Sequence, residues 1–482
     1  APQNAVQVKE ARRRLKFQEL LTYSLKIMFL KKFLKNNNGI PFKISPELKM
    51  FKESIPYELT NSQKKVIKEI LIDEKKNSQM NRLVQGDVGS GKTIVAFTAI
   101  FNVVKNNYQA ALLVPTEVLA KQHYSAAKKV YTPFNINVGL LTGSMSIKEK
   151  KNVKEELKSG IIDVIIGTHA LFEDNVEFSN LGLIVTDEQH RFGVLQRNKL
   201  YSKGKNADIL VMTATPIPRT LSLYIYGDLN VSVIDELPPG RQKIDTLYYD
   251  MRNKDSAYKI ALKEVQEGRQ VYIICPLIEE DEGNDLVSVK QLYGSLKNKY
   301  FKNIPAEILY GGLPEKDKDN IMNKFADGEI KVLISTTVIE VGINVPNATV
   351  MIVENAERFG LAQLHQLRGR VGRGKFKSYC ILLANIKSDF IRQRMEILKS
   401  SSDGFYIAEQ DLKIRGTGEI FGINQHGEND LIISDIVRDF NILKAAHGEA
   451  LNILSSNDKV YLPLKNEIMK KINTKSNLIC FN

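Results

Sequence analysis

The sequence predicts an α/β protein built from two parallel sheets in tandem, and three observations carry that prediction. Short runs rich in Val, Ile and Leu alternate with helical stretches from Ile55 to about Ile234, the pattern of strands buried on both faces. A second alternation of the same kind follows Leu237-Pro238-Pro239-Gly240, a breaker suited to a linker. At 482 residues the chain has room for about three domains, and with 43% hydrophobic and 26% charged residues it can build more than one core.

The elements follow in order. Val8 to Lys35 reads as one helix, with Leu15, Leu20, Leu21, Met28 and Phe29 on helical spacing and nine Lys or Arg against Glu10 and Glu19. Asn36-Asn37-Asn38-Gly39 stops it and Pro41 confirms the break. Such a helix either packs with a solvated basic face, braces a preceding segment, or touches a phosphate backbone. The first unit has candidate strands at Arg82–Gln85, Ala110–Val114, Val138–Leu141, Asp163–Gly167, Leu181–Thr186 and Ile209–Thr213. The second has them at Val271–Cys275, Glu307–Leu309, Val332–Ser335, Thr349–Val353 and Tyr379–Leu383. The expected division is a basic helix over 1–54, a first α/β lobe over 55–236, a second over 237–385 and a helical segment over 386–482. Residues 431–482 show helical patterning and no chemistry.

The net charge of +13 favours a polyanionic partner. Cys275, Cys380 and Cys480 are too few and too scattered for a disulfide framework or a zinc site, so a reducing, cytoplasmic setting is expected. Leu20–Leu34, the most apolar stretch, is interrupted by Lys26, Lys31 and Lys32, which argues against a membrane span. The basic, amphipathic start is unlike a cleavable leader.

Three motifs carry chemistry. Gly86-Asp87-Val88-Gly89-Ser90-Gly91-Lys92-Thr93 follows a predicted strand and opens the helix-like run Ile94–Val104, the context a phosphate-binding loop requires. Gly86, Gly89 and Gly91 let backbone N–H groups close around phosphates, Lys92 sits on them, and Thr93 faces Mg²⁺. The strand Leu181–Thr186 ends in Asp187-Glu188, where Asp187 would hold the magnesium ion and Glu188 would orient or deprotonate the attacking water. Alone, an Asp-Glu pair is more often a solvated strand end; one lobe-width after a phosphate-binding loop the balance reverses. Gln366-Leu367-Arg368-Gly369-Arg370-Val371-Gly372-Arg373 lies in the second lobe, and Arg370 and Arg373, with Gln366 beside them, would complete a nucleotide site across the cleft. The plainer alternative is a basic loop that binds phosphate without catalysis.

Thr213-Ala214-Thr215-Pro216 after the sixth strand completes an ordered set that resembles the superfamily-two helicases. That resemblance implies two RecA-like lobes with ATP and Mg²⁺ between them. By it, Gln63 in Leu59-Thr60-Asn61-Ser62-Gln63 would read the adenine. Thr116 in Pro115-Thr116-Glu117 and Thr168 in Gly167-Thr168-His169 would grip a nucleic-acid backbone. Thr337 and the segment to Gly342 would couple that grip to the ATP site, with Thr213 and His190 as relays.

Asp187-Glu188-Gln189-His190-Arg191-Phe192-Gly193, Ala214–Thr220 and Asp235–Arg241 are similar to the RecG family of bacterial fork-remodelling DNA translocases. Gly404–Glu409, Asp411–Gly416 and Gln425 resemble the translocation segment that family shares with Mfd, the transcription-repair translocase. The resemblance, over roughly residues 10–430, implies a helical hairpin and loop, with Arg415 and Gln425 on the lever, that turn ATP-driven lobe movement into steps along duplex DNA. It implies remodelling of branched DNA (forks and Holliday junctions), a monomeric cytoplasmic enzyme without membrane contact, and contact with single-strand-binding protein. The alternatives are an Mfd-like translocase, an RNA helicase, and a DNA-binding scaffold with little coupled activity. Asp235–Arg241 and Gln189 favour RecG over the first, the Arg415–Gln425 segment disfavours the second, and the intact motor residues weigh against the third.

The chain departs from the family at Asn344, usually Asp, at Thr417, usually Pro, and at His426, usually Ser. It begins where the family's wedge domain would end, so the expectation is a fragment that hydrolyses ATP and holds duplex DNA with reduced preference for branches.

Overall fold

The computed structural model describes residues 4–35, 38–188, 203–204, 206–214, 229–238, 242–276, 289–336, 345–415, 431–435, 439–456 and 458–475. The leading helix is α1 (Ala5–Lys35). The first lobe then carries α2 (Leu48–Ser54), α3 (Asn61–Glu74), β1 (Asn81–Gly86), α4 (Lys92–Val104), β2 (Gln109–Leu113), α5 (Glu117–Tyr131), β3 (Val138–Leu141), α6 (Ile147–Lys158), β4 (Val164–Gly167), β5 (Leu181–Asp187), β6 (Asp208–Thr213) and β7 (Asn230–Ile234). Its sheet runs β3-β4-β2-β5-β6-β1-β7, with every pairing parallel.

Local chemistry sets the helix starts. Thr60 and Gln63 form a capping box on α3 and Ser146 and Glu149 another on α6, each satisfying N–H groups that the first turn leaves open. Successive strand residues face opposite sides of the sheet. Leu83, Ala111, Ile165 and Ile184 therefore enter one core, and Val84, Leu112, Ile166 and Val185 enter the other.

The second lobe contains β8 (Ile244–Asp250), α7 (Lys254–Gln266), β9 (Gln270–Ile274), α8 (Val289–Lys299), β10 (Ala306–Leu309), α9 (Glu315–Ala326), β11 (Val332–Ser335), β12 (Ala348–Val353), α10 (Leu361–Arg368), β13 (Ser378–Ala384), α11 (Asp389–Ser400) and α12 (Gly404–Arg415). Its sheet, β10-β11-β9-β12-β13-β8, is again wholly parallel. This is the two-lobe α/β architecture that the sequence predicts.

The eleven predicted strands all form, with ends moved by a residue or two. β7 and β8 were not among them. Both are edge strands with alternating or partial burial, so neither presents the continuous apolar run that marks a central parallel strand.

The unit boundaries also differ from the expected division. Phe42, Phe51 and Ile55 lie in the first lobe's core, so residues 38–54 belong to that lobe rather than to a leading helix over 1–54. Met395, Ile397, Leu398 and Ile407 lie in the second lobe's core, so α11 and α12 extend it beyond 385. The remaining helices, α13 (Phe440–Ser455) and α14 (Leu462–Lys475), pack on α1 through Leu20, Leu25, Leu443, Ala446, Ala450, Ile453 and Ile468. The leading helix is therefore a packing helix, its partners supplied by the opposite end of the chain.

Cys275 and Cys380 are buried thiols outside any disulfide, and burial pushes each up to about 12, which leaves neither as a nucleophile at neutral pH. Among the described residues no helix is long and apolar enough to cross a membrane.

Candidate active site

Because the first sheet is parallel throughout, its strands end on one edge, and ligands of such sheets bind at that edge. In sheet order the edge carries Thr168 after β4, Thr116 after β2, Asp187 and Glu188 at β5, Thr213 at β6 and the Gly86–Thr93 loop after β1. Strands lie about 4.8 Å apart, so four steps separate the loop from Thr168 by roughly 19 Å.

β1 passes into the loop at Gly86 and α4 begins at Lys92. Gly89 (φ 78°) and Gly91 (φ 82°) adopt the left-handed conformation that only glycine takes without strain. Lys92 Nζ donates to Gly86 O at 2.7 Å and to Asp87 O at 3.0 Å, which holds the ammonium over the loop. Thr93 follows in the first turn of α4, half-buried.

The Asp187-Glu188 pair sits at the end of β5. Asp187 is half-buried, with its Oδ2 3.7 Å from His123 Nε2. Glu188 has φ 54°, donates its N–H to Met212 O at 2.9 Å, and accepts from Ala214 N at 2.9 Å and from Thr213 Oγ1 at 3.5 Å. These contacts aim the carboxylate back across β6. Burial, and then the neighbouring Asp187 charge, push the Glu188 carboxyl above the ordinary glutamate range, against the pull of Lys92 and Arg370. The two lobes meet beside the phosphate loop.

That junction is built by residues that sequence reasoning passed over. From α10, His365 Nε2 meets Asp87 Oδ1 at 2.6 Å, and Arg368 NH2 meets His365 Nδ1 at 2.7 Å. Arginine only donates, so Nδ1 accepts and Nε2 carries the proton to Asp87. Arg368 NH1 also donates to Leu398 O at 2.6 Å and Ser401 O at 2.8 Å. Gly369 is close to the loop: a Cβ there would lie 2.8 Å from Val88 Cβ. Arg370 and Gln366 are half-buried beside this contact, and Arg373 Nε donates to Gly369 O at 3.2 Å. The signal available in the sequence was the spacing of His365 and Arg368, which puts both on one face of a helix.

Two predicted residues are placed differently from what their motifs suggest. Gln63 is 1% exposed; its Oε1 accepts from Thr60 N at 2.9 Å and its Nε2 donates to Ser90 O at 2.8 Å. It links the α3 cap to the phosphate loop, so both ends of its amide are engaged there. Thr168 is buried, and among the described residues its hydroxyl has no partner. Thr116 caps α5 by accepting from Leu119 N at 3.4 Å. His190, Thr337, Gly342, Asn344 and Gln425 lie outside the described residues, as do Thr417 and His426; Arg415 is the last residue of α12.

A divalent ion is implied by this chemistry, and the donor set fits a hard one. Thr93 and Asp187 offer oxygen only, as Mg²⁺ prefers. Among the described residues no group of three or more His, Cys, Asp or Glu could hold a metal alone. An ion here would therefore be completed by substrate phosphates and water.

Comparison with known proteins agrees with this geometry. Residues 60–223 match the DEAD/DEAH box helicase family, 253–375 the helicase conserved C-terminal domain, and 401–478 the C-terminal part of domain 3 of the ATP-dependent DNA helicase RecG. The chain is 44% identical to the ATP-dependent DNA helicase RecG of Bacillus subtilis over 97% of its own length and 70% of that protein's. The corresponding values are 46%, 94% and 58% for RecG of Thermotoga maritima, and 47%, 94% and 68% for RecG of Streptococcus pneumoniae. A structure of RecG bound to a three-way DNA junction superposes with a TM-score of 0.76 at 43% identity, covering 92% of this chain and 58% of that one. The chain thus spans between 58% and 70% of the length of these relatives.

Proposed function

The chain belongs to the RecG family of ATP-dependent DNA helicases, and from that premise we propose that it couples ATP hydrolysis to translocation on double-stranded DNA and remodels branched DNA such as forks and Holliday junctions. In this reading Lys92 and the N–H groups of the glycine loop hold the β- and γ-phosphates at the start of α4. Thr93 and Asp187 would hold Mg²⁺, which when bound neutralises charge on the phosphates. Glu188 takes the proton of the attacking water. Its raised carboxyl makes it a better base near neutral pH than an ordinary glutamate. Arg370 and Arg373 approach from the second lobe and stabilise charge on the transferring γ-phosphoryl.

The observation that carries the reading is the meeting of both lobes at the phosphate loop: His365 on Asp87 and Gly369 against Val88. Closure of such a cleft can switch hydrolysis on and off, which is the requirement for a motor rather than a simple ATPase. Contacts to the duplex are expected to be with its backbone and to weaken with salt. The protein is read as a monomer in the cytoplasm.

The test is ATP hydrolysis by this chain with no DNA, linear duplex, single strand and a synthetic fork. Stimulation by duplex and fork supports a duplex motor. If no DNA stimulates turnover, the motor reading gives way to a DNA-binding scaffold.

A further inference from the structure

The buried stripe of α5 holds one imidazole. Ala120, Ala127 and Tyr131 are fully buried in the first lobe's core, and between the two alanines, at helical spacing, stands His123, 7% exposed. A polar ring in such a stripe costs free energy unless its nitrogens find partners. Its apolar edge is accounted for, because the ring packs edge-on against Phe97 of α4, with 6.4 Å between centroids and 75° between planes. Its polar edge turns to the end of β5, where Nε2 lies 3.7 Å from Asp187 Oδ2.

Topology brings the two residues together. β2 and β5 are neighbours in the sheet, with Leu113 opposite Thr186, so α5, which follows β2, starts beside the end of β5. On its other side α5 is tied to α4: Tyr131 Oη donates to Phe97 O at 2.8 Å, and the two rings lie 5.5 Å apart. α4 is the helix that begins with Lys92 and Thr93. His123 thus stands between that helix and the carboxylate that shares the proposed Mg²⁺ site with Thr93. An ionised carboxylate only accepts, so the nitrogen facing Asp187 is the protonated one. The separation is about 0.8 Å longer than a hydrogen bond, the kind of slack that catalytic contacts lose when substrate binds. The adjacent Glu188 is held instead by Ala214 N and Thr213 Oγ1. Two neighbouring carboxylates with different partners are kept in different orientations.

We propose that His123 is a positioning residue for the divalent ion: its Nε2–H fixes one oxygen of Asp187 and leaves the other to the ion. The proposal rests on the Mg²⁺ site of the reading above and goes beyond it, since it gives a task to a side chain outside the phosphate loop and the Asp187-Glu188 pair. A carboxylate already held by a donor has less freedom to lose on meeting a metal, and removing such a partner lowers metal affinity about 10–100-fold.

Binding of a fluorescent, non-hydrolysable ATP analogue is to be titrated at equilibrium in EDTA and in excess Mg²⁺, without DNA, so that the gain in affinity due to the ion is read apart from turnover. His123→Leu keeps an apolar side chain of similar size and removes the donor; His123→Gln keeps a donor. Affinity in EDTA should stay within about twofold in both, while the Mg²⁺-dependent gain falls about tenfold in His123→Leu and recovers most of the way in His123→Gln. A gain retained in full by His123→Leu overturns the proposal and leaves His123 a packing residue. So does an equal loss in EDTA and in Mg²⁺, which marks a general support of the fold. A gain no better in His123→Gln than in His123→Leu overturns it too, because the donor is then not what matters. Asp187→Asn separates this inference from the reading beneath it. If Asp187→Asn leaves the gain unchanged, or the unaltered chain shows none, the Mg²⁺ site falls and the task of His123 with it. If Asp187→Asn abolishes the gain and His123→Leu does not, the task of His123 falls alone.

Discussion

In the proposed reading Lys92 and Glu188 are where single atoms decide turnover, and each gives a separable expectation. Lys92→Ala removes the cation from the phosphate loop and should lower DNA-stimulated hydrolysis by about 10²–10³-fold; turnover near the unaltered level would contradict the site. Glu188→Gln should still bind ATP, measured by equilibrium titration, while hydrolysis falls to a comparable extent. Because burial and Asp187 raise the Glu188 carboxyl, the base is lost to protonation at a higher pH than an ordinary glutamate. Glu74 makes the same point for stability. It is fully buried; burial raises its carboxyl well above the ordinary range, Asn102 Nδ2 pulls back with a hydrogen bond at 2.8 Å, and Asp208 and Asp73 raise it further. A carboxyl raised in the fold adds stability that is complete below its unfolded pKa and is lost as pH rises through the folded value. Glu74→Gln, neutral at every pH, should gain melting temperature relative to the unaltered chain as pH rises above the ordinary glutamate range, and a constant difference would refute the assignment. The types and order of the residues proposed for catalysis follow a pattern that phosphate chemistry demands at fixed spacing, which is why the sequence displays it. The burial of Gln63 and Thr168 is not displayed there, since burial depends on neighbours remote in the chain.

Between elements, the informative contact is the one from α10 to the phosphate loop. Asp87 and His365 are 278 residues apart and meet at 2.6 Å, with Arg368 holding the far side of the imidazole. Asp87→Asn and His365→Gln should each change the apparent affinity for ATP, and the pair together should change it by less than the product of the two. The expected coupling is about 1.5–3 kcal/mol, as for a hydrogen bond with one charged partner; independent effects would show that the contact does not operate in solution. The same scale explains which strands the sequence displayed. Central strands such as Ala110–Leu113 and Val350–Val353 are apolar on both faces and announce themselves. β7 and β8 are edge strands whose outer residues are half-exposed, and their pattern matches that of many loops.

At the scale of the whole molecule, the chain is not divided where its composition changes. Phe51 of α2 stacks on Phe101 at 4.4 Å between ring centroids and lies near Tyr131 and Phe134, fully buried in the first lobe. Phe51→Ala should therefore destabilise that lobe by about 3–5 kcal/mol, read as a lower denaturation midpoint for loss of ATP binding. A cost below about 1 kcal/mol would return residues 38–54 to a separate leader. Likewise α1 joins α13 and α14, closing a unit from the two ends of the sequence. The sequence by itself determined the α/β class, two parallel sheets, the phosphate loop, the Asp187-Glu188 pair and the arginines of the second lobe, because hydrophobic period and phosphate recognition are local in the chain. Only the tertiary structure decided that Gln63 serves the loop backbone, that His365 and Arg368 carry the lobe contact, and that His123 faces Asp187. Each of those depends on a partner between 27 and 278 residues away, and no local pattern records which distant group a side chain will meet.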